Sequence, residues 1–246
     1  MLELANQFNN QNILIYGFGK SGRACFKYLR KNNKIEIYDD KKSSIPKNLK
    51  KNSINKTKLT SVNFDRIVVS PGIDINKCTL KKYLSKNKSK IISELDIFYL
   101  NNIKNKKITI TGTNGKSTTS KLLHDVLKKH GKDVRLVGNI GNPLLLEKNI
   151  KPKTIFVIEA SSYQIEYSKY FKTDFAIILN INPNHLERHR TFKNYIKSKF
   201  GLIKSQKKNS FAFIEKNNNF LKEELKKNKI NSKIIKIITF FKSSSN

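Results

Sequence analysis

Cysteine is scarce: Cys25 and Cys78 are the two in 246 residues. They make neither a disulfide framework nor a metal-binding pair, and a reducing cytoplasm is the expected setting. Long apolar runs are also missing. Stretches such as Phe175 to Leu179 reach about five residues, far short of the roughly 20 that a membrane helix needs. The opening Met1-Leu-Glu-Leu-Ala-Asn-Gln7 has no basic segment leading into an apolar one, so no signal peptide is expected. Acidic residues number 18 against 50 basic ones, a formal charge of +32. Such an excess raises the question of nucleic acid. Arginine, however, supplies six of those cations and lysine 44. A nucleic-acid face would favour arginine, for bidentate and stacking contacts. The lysines are scattered, as at Lys47, Lys82, Lys129 and Lys226. Lys, Asn and Ile together make up 105 of the 246 residues, the mixture that an AT-rich coding sequence gives. The charge is therefore read as compositional drift on a solvated surface, with no nucleic-acid partner and no membrane insertion.

What is present is an alternation of short apolar runs and helical patterns. Asn12 to Tyr16 reads as a strand, Arg23 to Lys31 as a helix, Lys34 to Tyr38 and Arg66 to Val69 as further strands. Residues 41–63 are rich in Lys, Asn and Ser and carry no clear period. A second unit opens with a strand at Lys107 to Thr111. An amphipathic helix follows over Thr119 to His130, with Leu122, Leu123, Val126 and Leu127 as its apolar face, stopped by Gly131. Strands are expected at Thr154 to Ile158, Phe175 to Leu179, Ser210 to Ile214 and Lys233 to Phe241, with a helix at Phe192 to Ile203. The pattern predicts an α/β fold with parallel sheets. A Rossmann-like domain would span residues 1–105 and a P-loop-type ATPase domain 106–246, joined at the polar stretch Asn101 to Lys106.

Two glycine-rich loops carry chemistry. Gly17-Phe18-Gly19-Lys20-Ser21-Gly22 lies between a strand and a helix, where glycines let the backbone approach a phosphate at the helix N-terminus. Asp39 follows at the end of the next strand, where a carboxylate can grip a ribose. NAD, FAD and a UDP-sugar all suit this arrangement. The second loop, Gly112-Thr113-Asn114-Gly115-Lys116-Ser117-Thr118, is sharper. Its N–H groups would cradle phosphates, Lys116 would neutralise the β- and γ-phosphates, and the Ser117 hydroxyl would reach Mg²⁺. Ile110 stands where the usual P-loop has its first glycine, so the loop is a variant. Glu159, at a strand tip, suits a hard cation that prefers oxygen ligands. His185 lies past another strand end, where spacing alone leaves it open between a ligand and a solvated loop histidine. Lys199, judged by residues alone, is one more surface lysine.

Several blocks in order resemble the Mur ligase family. They are Gly17 to Gly22, Ser70-Pro71-Gly72-Ile73, Ser93-Glu-Leu-Asp96, Ile110 to Thr118, Gly138-Asn139-Ile-Gly141, Glu159-Ala-Ser161-Ser-Tyr-Gln164-Ile-Glu166, Asn180-Ile-Asn-Pro-Asn-His185 and Tyr195-Ile-Lys-Ser-Lys199. The block Ser161 to Glu166 is similar to that of the D-glutamate-adding branch. The L-alanine-adding relatives usually carry His where Asn114 stands, and the later-acting ligases lack the N-terminal glycine pattern. The resemblance implies ATP- and Mg²⁺-dependent synthesis of an amide bond. UDP-N-acetylmuramoyl-L-alanine would be activated as an acyl phosphate and then joined to D-glutamate, in the cytoplasm, by a monomer. It implies catalytic roles for Lys116, Glu159, His185 and Lys199. Ser117 and Glu159 would hold one Mg²⁺; His185 and a carbamylated Lys199 would hold a second. It gives the UDP-substrate Gly17, Phe18, Gly19, Lys20, Ser21, Asp39, Ser70, Pro71 and Gly72 from the first unit. Asn139, Ser161 and Gln164 would meet its muramoyl-alanine end.

Two departures stand out. Asn184 occupies a position that is usually acidic in the family. The family also has a third domain, which binds D-glutamate and completes the adenine and ribose site. The sequence ending at Ser243-Ser-Ser-Asn246 reads as falling inside the central domain, so a fragment without ligase activity of its own is expected. The competing readings are a folylpolyglutamate-type or other Mur ligase, and a nucleotide-binding module without turnover.

Overall fold

The computed structural model describes residues 8–237. The chain forms two compact units. The first runs to Ile103 and includes Asn142–Ile150 and Tyr167–Phe171; the second takes Lys104–Gly141, Lys151–Glu166 and the chain from Lys172 onward. No helix among the described residues is long and apolar enough to cross a membrane.

In the first unit the elements are β1 (Asn12–Tyr16), α1 (Lys20–Leu29), β2 (Lys34–Tyr38), β3 (Arg66–Val69), α2 (Lys81–Lys86), β4 (Ile91–Ile92) and α3 (Glu94–Asn101). The sheet order is β2-β1-β3-β4, all parallel. Strand β1 lies between β2 and β3, and Ile13 to Tyr16 are wholly buried, which is why it reads as an unbroken apolar run rather than an alternation. The stretch without a period, 41–63, forms three 3₁₀ turns at Lys42–Ser44, Lys47–Asn52 and Lys56–Ser61. Its sparse apolar residues Ile54 and Leu59 reach the cluster of Tyr16, Phe64, Ile67 and Leu84.

Helix α3 starts in a capping box: Ser93 Oγ accepts from Asp96 N–H, and Asp96 Oδ2 accepts from Ser93 N–H. The Asp96 carboxylate is fully buried and also accepts from Ser168 Oγ and from the N–H groups of Lys169, Tyr170 and Phe171. Removing it would leave the buried N–H groups of Ser93 and Phe171 unsatisfied, at about 1–3 kcal/mol each, along with the part-buried donors of 168–170. Asp96→Ala should lower stability by about 3 kcal/mol or more, read as a fall in the urea midpoint; an unchanged midpoint would refute this account of α3.

The second unit contains β5 (Lys106–Thr111), α4 (Lys116–Lys129), β6 (Val134–Gly138), β7 (Ile155–Glu159), α5 (Ser162–Glu166), β8 (Phe175–Ile178), α6 (Leu186–His189), α7 (Phe192–Lys204), β9 (Phe211–Glu215), α8 (Asn219–Lys227) and β10 (Lys233–Ile237). The sheet order is β10-β9-β8-β5-β7-β6, again all parallel. Strand β6 and helix α8 went unread in the sequence, and the expected continuation of β10 to Phe241 lies outside the described residues. One expectation needs correction. On α4, Leu123 and Leu127 pack on the sheet cluster of Ile110, Val134 and Val157, whereas Leu122 is 63% and Val126 45% exposed. Positions 122/126 and 123/127 form two stripes about 100° apart, and the sheet covers one of them.

Candidate functional site

In the second unit, β5 lies between β7 and β8, so the loops leaving all three strands share the carboxyl edge of the sheet where the strand order reverses. The loop after β5 turns on Gly112 (φ 154°) and Gly115 (φ 79°), conformations that side chains rarely adopt. It is tied to the loop after β8: Thr113 N–H donates to Asn180 O (3.0 Å), Asn114 N–H to Asn180 Oδ1 (2.9 Å), and Asn182 N–H to Thr113 Oγ1 (3.0 Å). Helix α4 therefore begins at Lys116, three residues earlier than the sequence pattern suggests. Lys116 Nζ folds back to Thr113 O at 2.7 Å.

Glu159 closes the other side. It is the last residue of β7, in register with Ile110 and Gly138, and 1% exposed. Ser117 Oγ donates to Glu159 Oε2 (2.7 Å), and Asn139 Nδ2 donates to Oε1 (2.7 Å). Gly138 permits that approach: a Cβ there would sit 2.3 Å from Glu159 O. The structure thus brings Ser117, Glu159 and Asn139 together. Ser161 and Gln164 instead satisfy each other at the start of α5, where Gln164 Oε1 accepts from Ser161 N–H at 3.0 Å.

Lys199 corrects its reading as a surface lysine. It is 2% exposed, donates to Gly112 O at 2.8 Å, and lies 4.7 Å from the centre of the Tyr195 ring. Burial, reinforced by the positive charge of Lys116, pushes its pKa down to about 7. The signal was helical spacing. Tyr195, Ile196, Lys199, Phe200 and Ile203 form the buried face of α7, while Lys197 is exposed. Tyr195 itself, missed in the sequence, meets Thr113 Oγ1 at 3.1 Å through its hydroxyl.

His185 has a left-handed backbone (φ 53°) and an exposed side chain, with its ring 5.0 Å from that of Tyr163 and 6.3 Å from that of Tyr195. Its N–H donates to Asn184 Oδ1 (2.8 Å). Among the described residues no hydrogen bond joins His185 to Glu159 or Lys199. The histidine that is buried is His189, whose Nε2 lies 3.0 Å from Ser162 Oγ. Burial and the neighbouring cations push its pKa down to about 4, so it is neutral at pH 7. A hard cation fits the hydroxyl and carboxylate of Ser117 and Glu159. His185 and an unmodified Lys199 offer it no oxygen.

The first unit holds the other loop, again where the strand order reverses, with β1 flanked by β2 and β3. Ser70 Oγ donates to the carbonyl of Gly17 (φ 90°) at 2.6 Å. A Cβ on Gly22 would lie 2.0 Å from Gly17 O, so the loop closes on α1 only with glycine there. Phe18 N–H donates to Asp39 Oδ2 (2.6 Å), and Lys41 N–H to Asp39 Oδ1 (2.8 Å), so Asp39 fixes the loop. Gly19 caps α1 without a side chain, and Gly19 and Lys20 are exposed. Among the described residues Gly19 gives the first turn no side-chain cap, an arrangement that suits anion binding. Pro71 and Gly72 follow β3, half-buried and exposed respectively. Ser21 donates to Glu94 Oε2, a partner not foreseen from the sequence.

Residues 110–242 match the Mur ligase middle domain, and residues 11–93 match the N-terminal domain of MurD-like Mur ligases. The chain is similar to the UDP-N-acetylmuramoylalanine–D-glutamate ligase of Elusimicrobium minutum, 40% identical over 224 residues, covering 85% of this chain and 49% of that protein. It is similar to the ligase of the same name from Caldicellulosiruptor bescii, 34% identical over 224 residues, covering 87% of this chain and 49% of that one. The chain spans about half the length of the curated relatives it matches. A solved structure of UDP-N-acetylmuramate:L-alanyl-gamma-D-glutamyl-meso-diaminopimelate ligase from Neisseria meningitides covers 92% of this chain and 78% of its own, with a TM-score of 0.58. At 15% identity that likeness shows the fold alone.

Proposed function

Since this chain belongs to the Mur ligase family, we propose that it forms the UDP-substrate and ATP-binding portion of a ligase that adds D-glutamate to UDP-N-acetylmuramoyl-L-alanine. The observation that carries the reading is the Gly-Lys-Ser loop closed onto the carboxylate of Glu159 at the tip of the neighbouring strand. The loop from Gly112 to Thr118 binds the phosphates of ATP through its N–H groups and the Lys116 ammonium. Ser117 and Glu159 would hold Mg²⁺, with Asn139 fixing the carboxylate; the ion neutralises phosphate charge when bound. The alanyl carboxylate attacks the γ-phosphorus and ADP leaves; the amine of D-glutamate then displaces phosphate from the acyl phosphate. Lys116 stabilises the charge that builds up on the transferring group.

Lys199 fits a carbamate. The reaction joins a neutral amine to CO₂ and releases one proton. A lysine with a pKa of about 7 is far richer in neutral amine at neutral pH than one near 10.5. The carbamate supplies the anionic oxygens that His185 lacks. The loop Gly17 to Ser21, with Asp39 and Ser70 to Gly72, holds the UDP group. The names of the similar relatives support UDP-N-acetylmuramoyl-L-alanine over NAD as its ligand. Separate calorimetric titrations test this: UDP-N-acetylmuramoyl-L-alanine should bind the chain at least about tenfold more tightly than NAD. Tighter binding of NAD would overturn the reading.

A further inference from the structure

Glu94 is a carboxylate left half satisfied at the head of a helix. It opens α3, is 5% exposed, and accepts the Ser21 hydroxyl proton on Oε2 in the first turn of the ten-residue α1. Its Oε1 is buried and has no hydrogen-bond partner among the described residues. Asp96, two residues on, spends its oxygens on Ser93 and on residues 168–171.

Ser21 has a single proton. While Glu94 is ionised, that proton is committed to the carboxylate, and at the Ser21 side chain an incoming anion meets only oxygen lone pairs. A proton added to Glu94 reverses the bond: the carboxyl O–H donates to Ser21 Oγ, and the serine hydroxyl is free to donate outward. The orphaned Oε1 becomes a neutral carbonyl oxygen, which costs less to leave unpaired than a share of a buried charge. We propose that Glu94 takes up one proton from solvent when a nucleotide diphosphate docks on the first turn of α1, and that the reversed bond makes Ser21 a donor to that diphosphate. No other bond is made or broken, and the ligand is unchanged. The proposal rests on the assignment of Gly17 to Gly22 as a nucleotide site.

The charges around Glu94 fit this role. Lys20 on α1 favours the ionised form, as does the Ser21 hydrogen bond, yet burial prevails and lifts the pKa to about 7. Cys25, buried on α1, stays a neutral thiol, pushed up by burial and by Glu94 itself. Asp39, on the adjoining loop, is bonded to Phe18 and Lys41. A doubly negative diphosphate beside Ser21 raises the Glu94 pKa further. Below pH 7 the carboxyl is already protonated and binding is undiminished. Above it, each pH unit weakens binding by up to about tenfold, until the pKa of the complex is reached.

The test is calorimetric titration of the full chain with UDP-N-acetylmuramoyl-L-alanine between pH 6 and 9, in buffers of different ionisation heat. The diphosphate of this ligand is a diester and does not itself titrate near neutrality. Wild type should lose close to tenfold in affinity per unit above pH 7 and take up nearly one proton at pH 8. Glu94→Gln, whose NH₂ can donate to Ser21 independently of pH, should bind as tightly as wild type at pH 6, with no slope and no proton uptake. Flat binding by wild type without proton exchange overturns this proposal alone and leaves the nucleotide site standing. So does a Glu94→Gln protein that keeps the pH slope. Absence of binding by wild type at every pH overturns the nucleotide assignment and the proposal with it.

Discussion

Lys116→Ala should weaken ATP binding to the chain by about 100-fold or more. The ammonium donates to Thr113 O at 2.7 Å in the turn that leads into α4, on the loop proposed to hold the phosphates. Charge-assisted hydrogen bonds contribute about 1.5–3 kcal/mol each, and two of them account for at least a hundredfold in affinity. Lys116→Arg should recover little, because a planar, bulkier guanidinium does not replace a compact ammonium. Lys121, exposed on the same helix, is the control: its alanine variant should bind ATP like wild type. Equal losses at the two positions, measured by fluorescence with a labelled ATP analogue, would mean that net charge and not this loop attracts the nucleotide.

The second large effect concerns Lys199. Incubation with ¹³C-labelled bicarbonate should give a carbamate carbon signal in wild type that is missing in Lys199→Ala. In a protein extended to the relatives' full length, that substitution should cut D-glutamate-dependent phosphate release by about 100-fold or more, the scale of losing one group that stabilises transition-state charge. Acetate should restore part of the activity, since the proposed carbamate would supply an anionic oxygen. Lys197→Ala should be nearly silent, its side chain being exposed. Burial and the positive charge of Lys116 already disfavour an ammonium at Lys199, and the proposed carbamate would replace it with a negative charge. Equal losses at positions 197 and 199, or full activity without the carbamate signal, would remove Lys199 from the reaction.

Most of the strands and both glycine loops were legible because they rest on local rules. A parallel strand buried on both faces is an apolar run, and a phosphate loop needs glycines at fixed places. What escaped was set by tertiary partners. Lys199 looked like 43 other lysines because burial depends on which face of α7 meets the sheet. Spacing from Tyr195 carried that information, but a lysine on an apolar face is easily passed over. Leu122 and Val126 misled in the opposite sense: helical period shows that two stripes exist, not which one the sheet covers. Asp39 and Glu94 were visible as acids, while their partners Phe18 and Ser21 lie 21 and 73 residues away. The glycine-loop spacing points to Asp39 as a ribose ligand and not as the acceptor of Phe18 N–H, and no local pattern links Ser21 with Glu94.

The carboxylate of Asp96 bears on the order in which the chain can fold during synthesis. Four of its hydrogen-bond donors lie between Ser168 and Phe171, more than 70 residues downstream, and that segment belongs to the first unit although the chain on both sides of it belongs to the second. Asn142–Ile150 is inserted in the same way. A ribosome releasing this chain from its N-terminus therefore cannot complete the first unit when residue 103 emerges. It must first deliver the strands Lys106–Thr111, Val134–Gly138 and Ile155–Glu159, which pair in the other sheet. Until then Asp96 has its cap at Ser93 and little else, and the nascent unit exposes the surface that Tyr167 and Phe171 later cover. The two units are thus bound to finish folding together, and a nascent chain stalled before residue 171 would be the species most open to proteolysis and to misassociation.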